Sequence, residues 1–142
     1  MEINIQRQSG TYHLRATNSE GLFVDTDAAE SIGGTNKGVR PMEMILMSLG
    51  SCSSIDIINI LEKGRQDLRD IKINIKAERE ENAVPSLFTH IHVHYILIGN
   101  ISPQKAERAI DLSMNKYCSV AQILKHTARI EYTFEIVKES DQ

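Results

Sequence analysis

The chain has 142 residues, 41% apolar and 25% charged, with a formal net charge of −3. This suits one globular domain, residues 1–142, with room for a real core. It provides no basic footprint for nucleic acid, and 5% aromatics without a Trp exclude a stacking platform for single strands.

The start, "MEINIQRQSG", alternates polar and apolar residues and has no apolar h-region, so no signal peptide is expected. The expected home is cytoplasmic. Proteins kept in a reducing compartment rarely carry structural disulfides, so any pairing of the two cysteines, Cys52 and Cys118, is expected to be transient. Two thiols alone cannot complete a four-ligand zinc site.

"INIQR" and "TYHLRAT" read as two strands around "QSG", and "GLFVD" as a third after the turn "NSEG". Residues 26–40, rich in Gly, Ser, Asp and Asn, read as a surface loop. A helix opens at Pro41, runs to Lys63 and stops at Gly64. Its apolar positions go round the whole cylinder, which predicts burial on all sides. Its length also fits a membrane span, but Glu43, Asp56 and several serines interrupt it, so no membrane is expected.

"DIKINIKAERE" and "SLFTHIHVHYILIG" alternate strictly and predict a long hairpin with "AVPS" between them. Ser102 and Pro103 open a second helix, with Ala106, Ile110, Met114 and Tyr117 on its inner face. "SVAQILKH" predicts a short third helix, "ARIEYTFEIV" a last strand, and "KESDQ" a frayed tail. Strand runs bracket the helices, which predicts an α+β fold. One sheet covers one face of a helix, so a central helix apolar all round calls for a second copy of the chain.

Cys52 lies in "SLGSCSSIDII", among small residues that let another backbone approach and leave space beside sulfur. A free Cys is commonly a small buried hydrophobe, so core filler and reactive thiol both remain open. Mid-helix, Cys52 gains no help from a helix N-terminus; its activation needs a cation or donors from elsewhere. Cys118 follows Tyr117 near the end of an amphipathic helix. If the two helices pack together, these thiols could act as attacking and resolving partners.

His90, His92 and His94 share one face of a strand, about 6.6 Å apart at each step. Metal binding is worth naming there, but a solvent-facing polar row, with Ile91, Val93 and Tyr95 turned to the core, is the simpler expectation. "EREEN" reads as a solvated hairpin end. "SIGGTNKG" lacks phosphate-loop spacing.

"GVRPMEMILMSLGSCSSIDIINIL" together with "NKYCSVAQIL" resembles the OsmC/Ohr superfamily, which has a helix-opening Pro, a Cys in the long helix and a second Cys far downstream. Pro41, Cys52 and Cys118 match, and "PMEM", "KGRQD", "LFTHI" and "KYCSVA" are similar to its YhfA-like branch. The resemblance implies antiparallel sheets around a long buried central helix, an intertwined homodimer and sites at the subunit interface. It implies that Cys52 reduces an organic hydroperoxide and becomes a sulfenic acid. Cys118 would resolve this acid, and an external dithiol reductant would reduce the disulfide. No cofactor and no metal are implied.

In the family's peroxidases a Glu directly follows the Pro and holds an Arg beside the thiolate. Here Met42 takes that position and the Glu comes one later, at Glu43, about 100° round the helix. Glu43 is retained as a candidate site residue, and Arg15, Arg40 and Arg79 are the candidate cations. A Cys with pKa of about 8.5 is only slightly ionised at neutral pH without such help. Two other readings stand beside peroxide reduction: binding of a small apolar or acyl ligand in the interface pocket, and reaction of Cys52 with other electrophiles.

Overall fold

The computed structural model describes residues 1–138, so all of the expected tail beyond Lys138 lies outside the described residues. The chain divides into two compact units, Met1–Met47 and Ser48–Gln142.

In the first unit, β1 (Ile3–Ser9), β2 (His13–Asn18) and β3 (Phe23–Thr26) form an antiparallel sheet in chain order. The second turn is shaped by Asn18, whose Oδ1 accepts the Glu20 and Leu22 N–H groups. Across β2 and β3, Arg15 faces Asp25 in register and grips its carboxylate at 2.7 and 2.8 Å. The same guanidinium lies 3.8 Å from the Phe23 ring centre. Arg15, with help from His13 and against partial burial, holds the Asp25 carboxyl down at about 2.

The loop of residues 26–40 is organised rather than loose. Asp27 is buried, and its carboxylate accepts the N–H groups of Ala28, Thr35 and Lys37 and the Thr35 hydroxyl. Burial alone would raise its pKa; these donors outweigh burial and hold it at about 2. The glycines of "SIGGTNKG" serve this packing, since a Cβ at Gly34 would meet the Ala28 carbonyl oxygen at 1.8 Å.

α1 (Pro41–Lys63) starts in the first unit and runs into the second. It ends as the Pro-to-Gly reading predicts, with one difference. The left-handed residue is Arg65, φ 54°, and not Gly64. Arg65 N–H donates to the Glu62 carbonyl and Gln66 N–H to that of Leu61, both at 2.9 Å, which is a Schellman ending.

In the second unit, β4 (Asp67–Arg79), β5 (Phe88–Asn100) and β6 (Arg129–Val137) form one sheet in that order. The β4–β5 hairpin is antiparallel, as its alternation predicts. β6 runs parallel to β5, so this sheet is mixed. The helical segments between β5 and β6 make the crossover that a parallel pair requires. They are α2 (Pro103–Leu112), a π-helical turn (Ser113–Tyr117) and α3 (Ser119–Leu124). Ser102 is the N-cap residue of α2, but its hydroxyl donates to the Gln104 side chain rather than capping the helix.

The core takes Ile91, Val93, Tyr95 and Leu97 from β5, Leu49, Ile57 and Leu61 from α1, and Ala106, Ala109 and Ile110 from α2. Burying each large aliphatic chain contributes about 1.5–3 kcal/mol. α1 can approach the sheet because Gly50 has no side chain: a Cβ there would lie 3.1 Å from Ile75 Cδ1.

The fold corrects one sequence expectation, the inward placement of Tyr117. α1 has the length and hydropathy of a membrane crossing, yet the fold uses it as a core helix, and within one chain only one stripe of it is buried. Ile55 stays 68% exposed and Met47 51%. Tyr117 also faces outward, at 50% exposure, because the π turn inserts an extra residue and rotates the chain beyond it.

A candidate dithiol–carboxylate site

Cys52 is half-buried on α1 and Cys118 is buried between the π turn and α3. The π turn sets the position of Cys118: its N–H donates to the Ser113 carbonyl at 2.7 Å. Cys118 is then the N-cap of α3, with its Sγ accepting the Ala121 N–H at 3.4 Å. The sequence brings Cys52 and Cys118 together from 66 positions apart (118 − 52). Their sulfurs and one Asp56 oxygen all lie within 4.8 Å of one another.

Asp56 is the residue that sequence reading passed over, as a mere interruption of an apolar run. Its signal was spacing: Cys52 and Asp56 are i and i+4 on one helix and so share a face. The Ser113 hydroxyl lies 3.1 Å from each of two acceptors, Asp56 Oδ2 and the Ser53 carbonyl oxygen. Below them, buried Tyr95 donates to Ser53 Oγ at 2.7 Å, with Met114 Sδ at 3.4 Å. The serines around Cys52 are therefore partly explained: Ser53 and Ser54 donate back to the Gly50 carbonyl, and Ser53 receives Tyr95.

Burial pushes the Cys118 thiol up to about 11, and the neighbouring Cys52 sulfur adds to this against the Ala121 N–H. Cys118 is thus held as the thiol at neutral pH. Burial likewise pushes the Tyr95 phenol up to about 12, against its bond to Ser53. A cleft of about 390 Å³ borders the site, lined by Asp56, Asn59, Ile60, Lys63, Leu112 and Tyr117.

The other candidates have different partners. Glu43 Oε2 accepts the Arg40 N–H at 2.9 Å, the return half of a capping box at the start of α1. Arg15 is taken by Asp25. Arg40 donates to the Gly38 carbonyl and Asn36, and Arg79 to the Ser86 carbonyl. The histidine row is the polar outer face of β5, opposite buried Ile91, Val93 and Tyr95. His90 meets Glu131 at 2.7 Å, His92 meets Thr133 at 3.1 Å and His94 meets Thr133 at 2.8 Å. Among the described residues, the trio able to converge on one ion is Cys52, Asp56 and Cys118.

Comparison with known proteins identifies the family and the fold. A family model described as OsmC-like protein matches residues 34–133. Protein YhfA of Escherichia coli (strain K12) is 47% identical over 103 residues, covering 72% of this chain and 76% of that protein. A hypothetical protein from Aquifex aeolicus VF5 superposes with a TM-score of 0.81 at 31% identity, covering 98% of each chain. An organic hydroperoxide resistance protein OsmC from Legionella pneumophila shares the fold at a TM-score of 0.72 and 11% identity, over 95% of this chain and 97% of that one. With a matched segment that spans the long helix and both cysteines, this chain belongs to the OsmC-like protein family.

Proposed function

We propose that this protein is a thiol peroxidase that reduces organic hydroperoxides through Cys52 and Cys118. The observation that carries the reading is the convergence of the two sulfurs within 4.8 Å, one half-buried and reachable, the other buried and held as a thiol. The hydroperoxide resistance described for the Legionella pneumophila relative in fold supports the same reading.

The Cys52 thiolate attacks the distal oxygen of the hydroperoxide; an S–O bond forms, the O–O bond breaks, and the alcohol leaves with a proton. Cys118 then attacks the Cys52 sulfenic acid; the S–S bond forms and the S–O bond breaks. Asp56 accepts the Cys118 proton and returns it to the departing hydroxide, which leaves as water. An external dithiol reduces the disulfide and is itself oxidised. Glu43 acts indirectly, by anchoring the start of the helix that carries Cys52.

The protein works as a cytoplasmic homodimer in this reading. The exposed stripe of α1 around Ile55 is the surface the second copy covers. The test is capture of the intermediate: Cys118→Ser treated with tert-butyl hydroperoxide should trap a dimedone adduct on Cys52. Failure to form the adduct, with fold intact, removes the peroxidase reading. A co-purified apolar ligand, together with a silent Cys52→Ser variant, would favour a binding protein instead.

A further inference from the structure

We propose that Cys52, Asp56 and Cys118 form a Zn²⁺ site, and that zinc held there switches the redox pair off. The regulatory half rests on the peroxidase reading; the metal half stands on geometry alone.

Three donor atoms from three side chains lie within 4.8 Å of one another. A tetrahedral zinc ion with bonds of about 2.3 Å to sulfur and about 2.0 Å to oxygen spaces its donors roughly 3.5–4 Å apart. The donors of Cys52, Asp56 and Cys118 need to approach by at most about 1 Å to meet that spacing. Two soft thiolates and a carboxylate suit zinc far better than calcium or magnesium, which demand oxygen ligands.

The trio is also pre-oriented. The Ser113 hydroxyl holds the Asp56 carboxylate by a hydrogen bond to Oδ2, as an outer partner holds a metal ligand. Ala121 N–H fixes the Cys118 sulfur. The Asp56 carboxylate, beside two sulfurs, takes its hydrogen bond from the neutral Ser113 hydroxyl, and the Cys118 sulfur takes its own from the neutral Ala121 N–H. For a thiolate pair alone that carboxylate is repulsive; a divalent cation turns the repulsion into attraction. Three protein ligands leave a fourth position to water or a small ligand. The half-burial of Cys52 and Asp56 leaves the site open to entry.

Binding leaves both sulfurs ligated as thiolates, and the Cys118 thiol proton goes to solvent. A ligated Cys52 cannot attack peroxide, and a ligated Cys118 cannot resolve a sulfenic acid.

The test uses reduced, metal-free protein titrated anaerobically with Zn²⁺ against a chromophoric chelator, then with Co²⁺. The expected result is one ion per chain, with the intense visible bands of tetrahedral cobalt and a thiolate charge-transfer band. Asp56→Asn should weaken binding by about tenfold or more, since even a lost outer partner has that effect. The wild-type protein oxidised to the Cys52–Cys118 disulfide provides a second comparison that needs no substitution, and it should not bind. Equal affinity in wild type and Asp56→Asn, or weak octahedral cobalt bands, would overturn the site. Zinc bound as described with peroxide turnover unchanged would overturn the switch. If the protein turns over no peroxide at all, the titration still decides the metal half.

Discussion

The backbone N–H of Cys118 reaches the carbonyl of Ser113, five residues back, at 2.7 Å. One wide turn thereby sets both ends of the site. Ser113 points its hydroxyl to Asp56, and Cys118 turns inward while Tyr117 turns out. Removing the extra residue of the π turn should therefore disconnect the thiols. Deleting Asn115 is expected to leave a folded protein whose Cys52 is still alkylated but which no longer forms the disulfide with Cys118. Peptide mapping after oxidation checks this.

The Tyr95–Ser53 hydrogen bond, buried and 2.7 Å long, ties β5 to the helix turn that carries Cys52. Tyr95→Phe should cost about 1 kcal/mol, the net value of such a bond. Ser53→Ala should cost about the same, and the double variant less than the sum, because the pair share one interaction. Urea unfolding of the three variants measures it.

Arg65 occupies a left-handed position that glycine adopts without strain. Arg65→Gly should stabilise the protein by about 1 kcal/mol, despite the greater freedom glycine gives the unfolded chain. A rise in the urea midpoint at unchanged slope is the expected readout.

Most of the architecture was legible. Strict alternation in residues 70–80 and 86–99 gave the hairpin, and Pro41, Ser102 and Pro103 marked helix starts. The parallel partnership of β6 was not legible, since alternation reports a buried face and not strand direction. The end of α2 misled for a physical reason: a π turn breaks the 3.6-residue period, so Tyr117 was counted inward. Of the site, the two cysteines were legible by resemblance. Asp56 was hidden because one carboxylate in an apolar helix looks like a solubilising interruption until Ser113 and the sulfurs are placed around it. Glu43, named for its place beside the helix-opening Pro, accepts the Arg40 N–H at the start of α1.

Acid should weaken the first unit before neutral or alkaline pH does. Asp25 and Asp27 are both held at about 2, below the usual carboxylate value of about 3.9. Their contribution is full above the unfolded pKa and is lost as pH falls from about 4 through 2. The melting temperature should drop across that window. Asp27→Asn should lower it at pH 7 and flatten the acid slope, which a pH series of thermal melts would show.

The exposed stripe of α1 carries Ile55 at 68% exposure. Placing a charge there should split the proposed homodimer. Ile55→Asp is expected to run at the mass of one 16.0 kDa chain in light scattering, and the wild type at twice that. A wild-type protein that is already a monomer would contradict the proposed assembly.

The central claim is that Cys52 and Cys118 are a working redox pair. Fully reduced protein would be given one equivalent of tert-butyl hydroperoxide for seconds, its free thiols blocked, and its peptides mapped by mass spectrometry. The account predicts a Cys52–Cys118 disulfide that is absent in Cys52→Ser. Two thiols still free after minutes would contradict it.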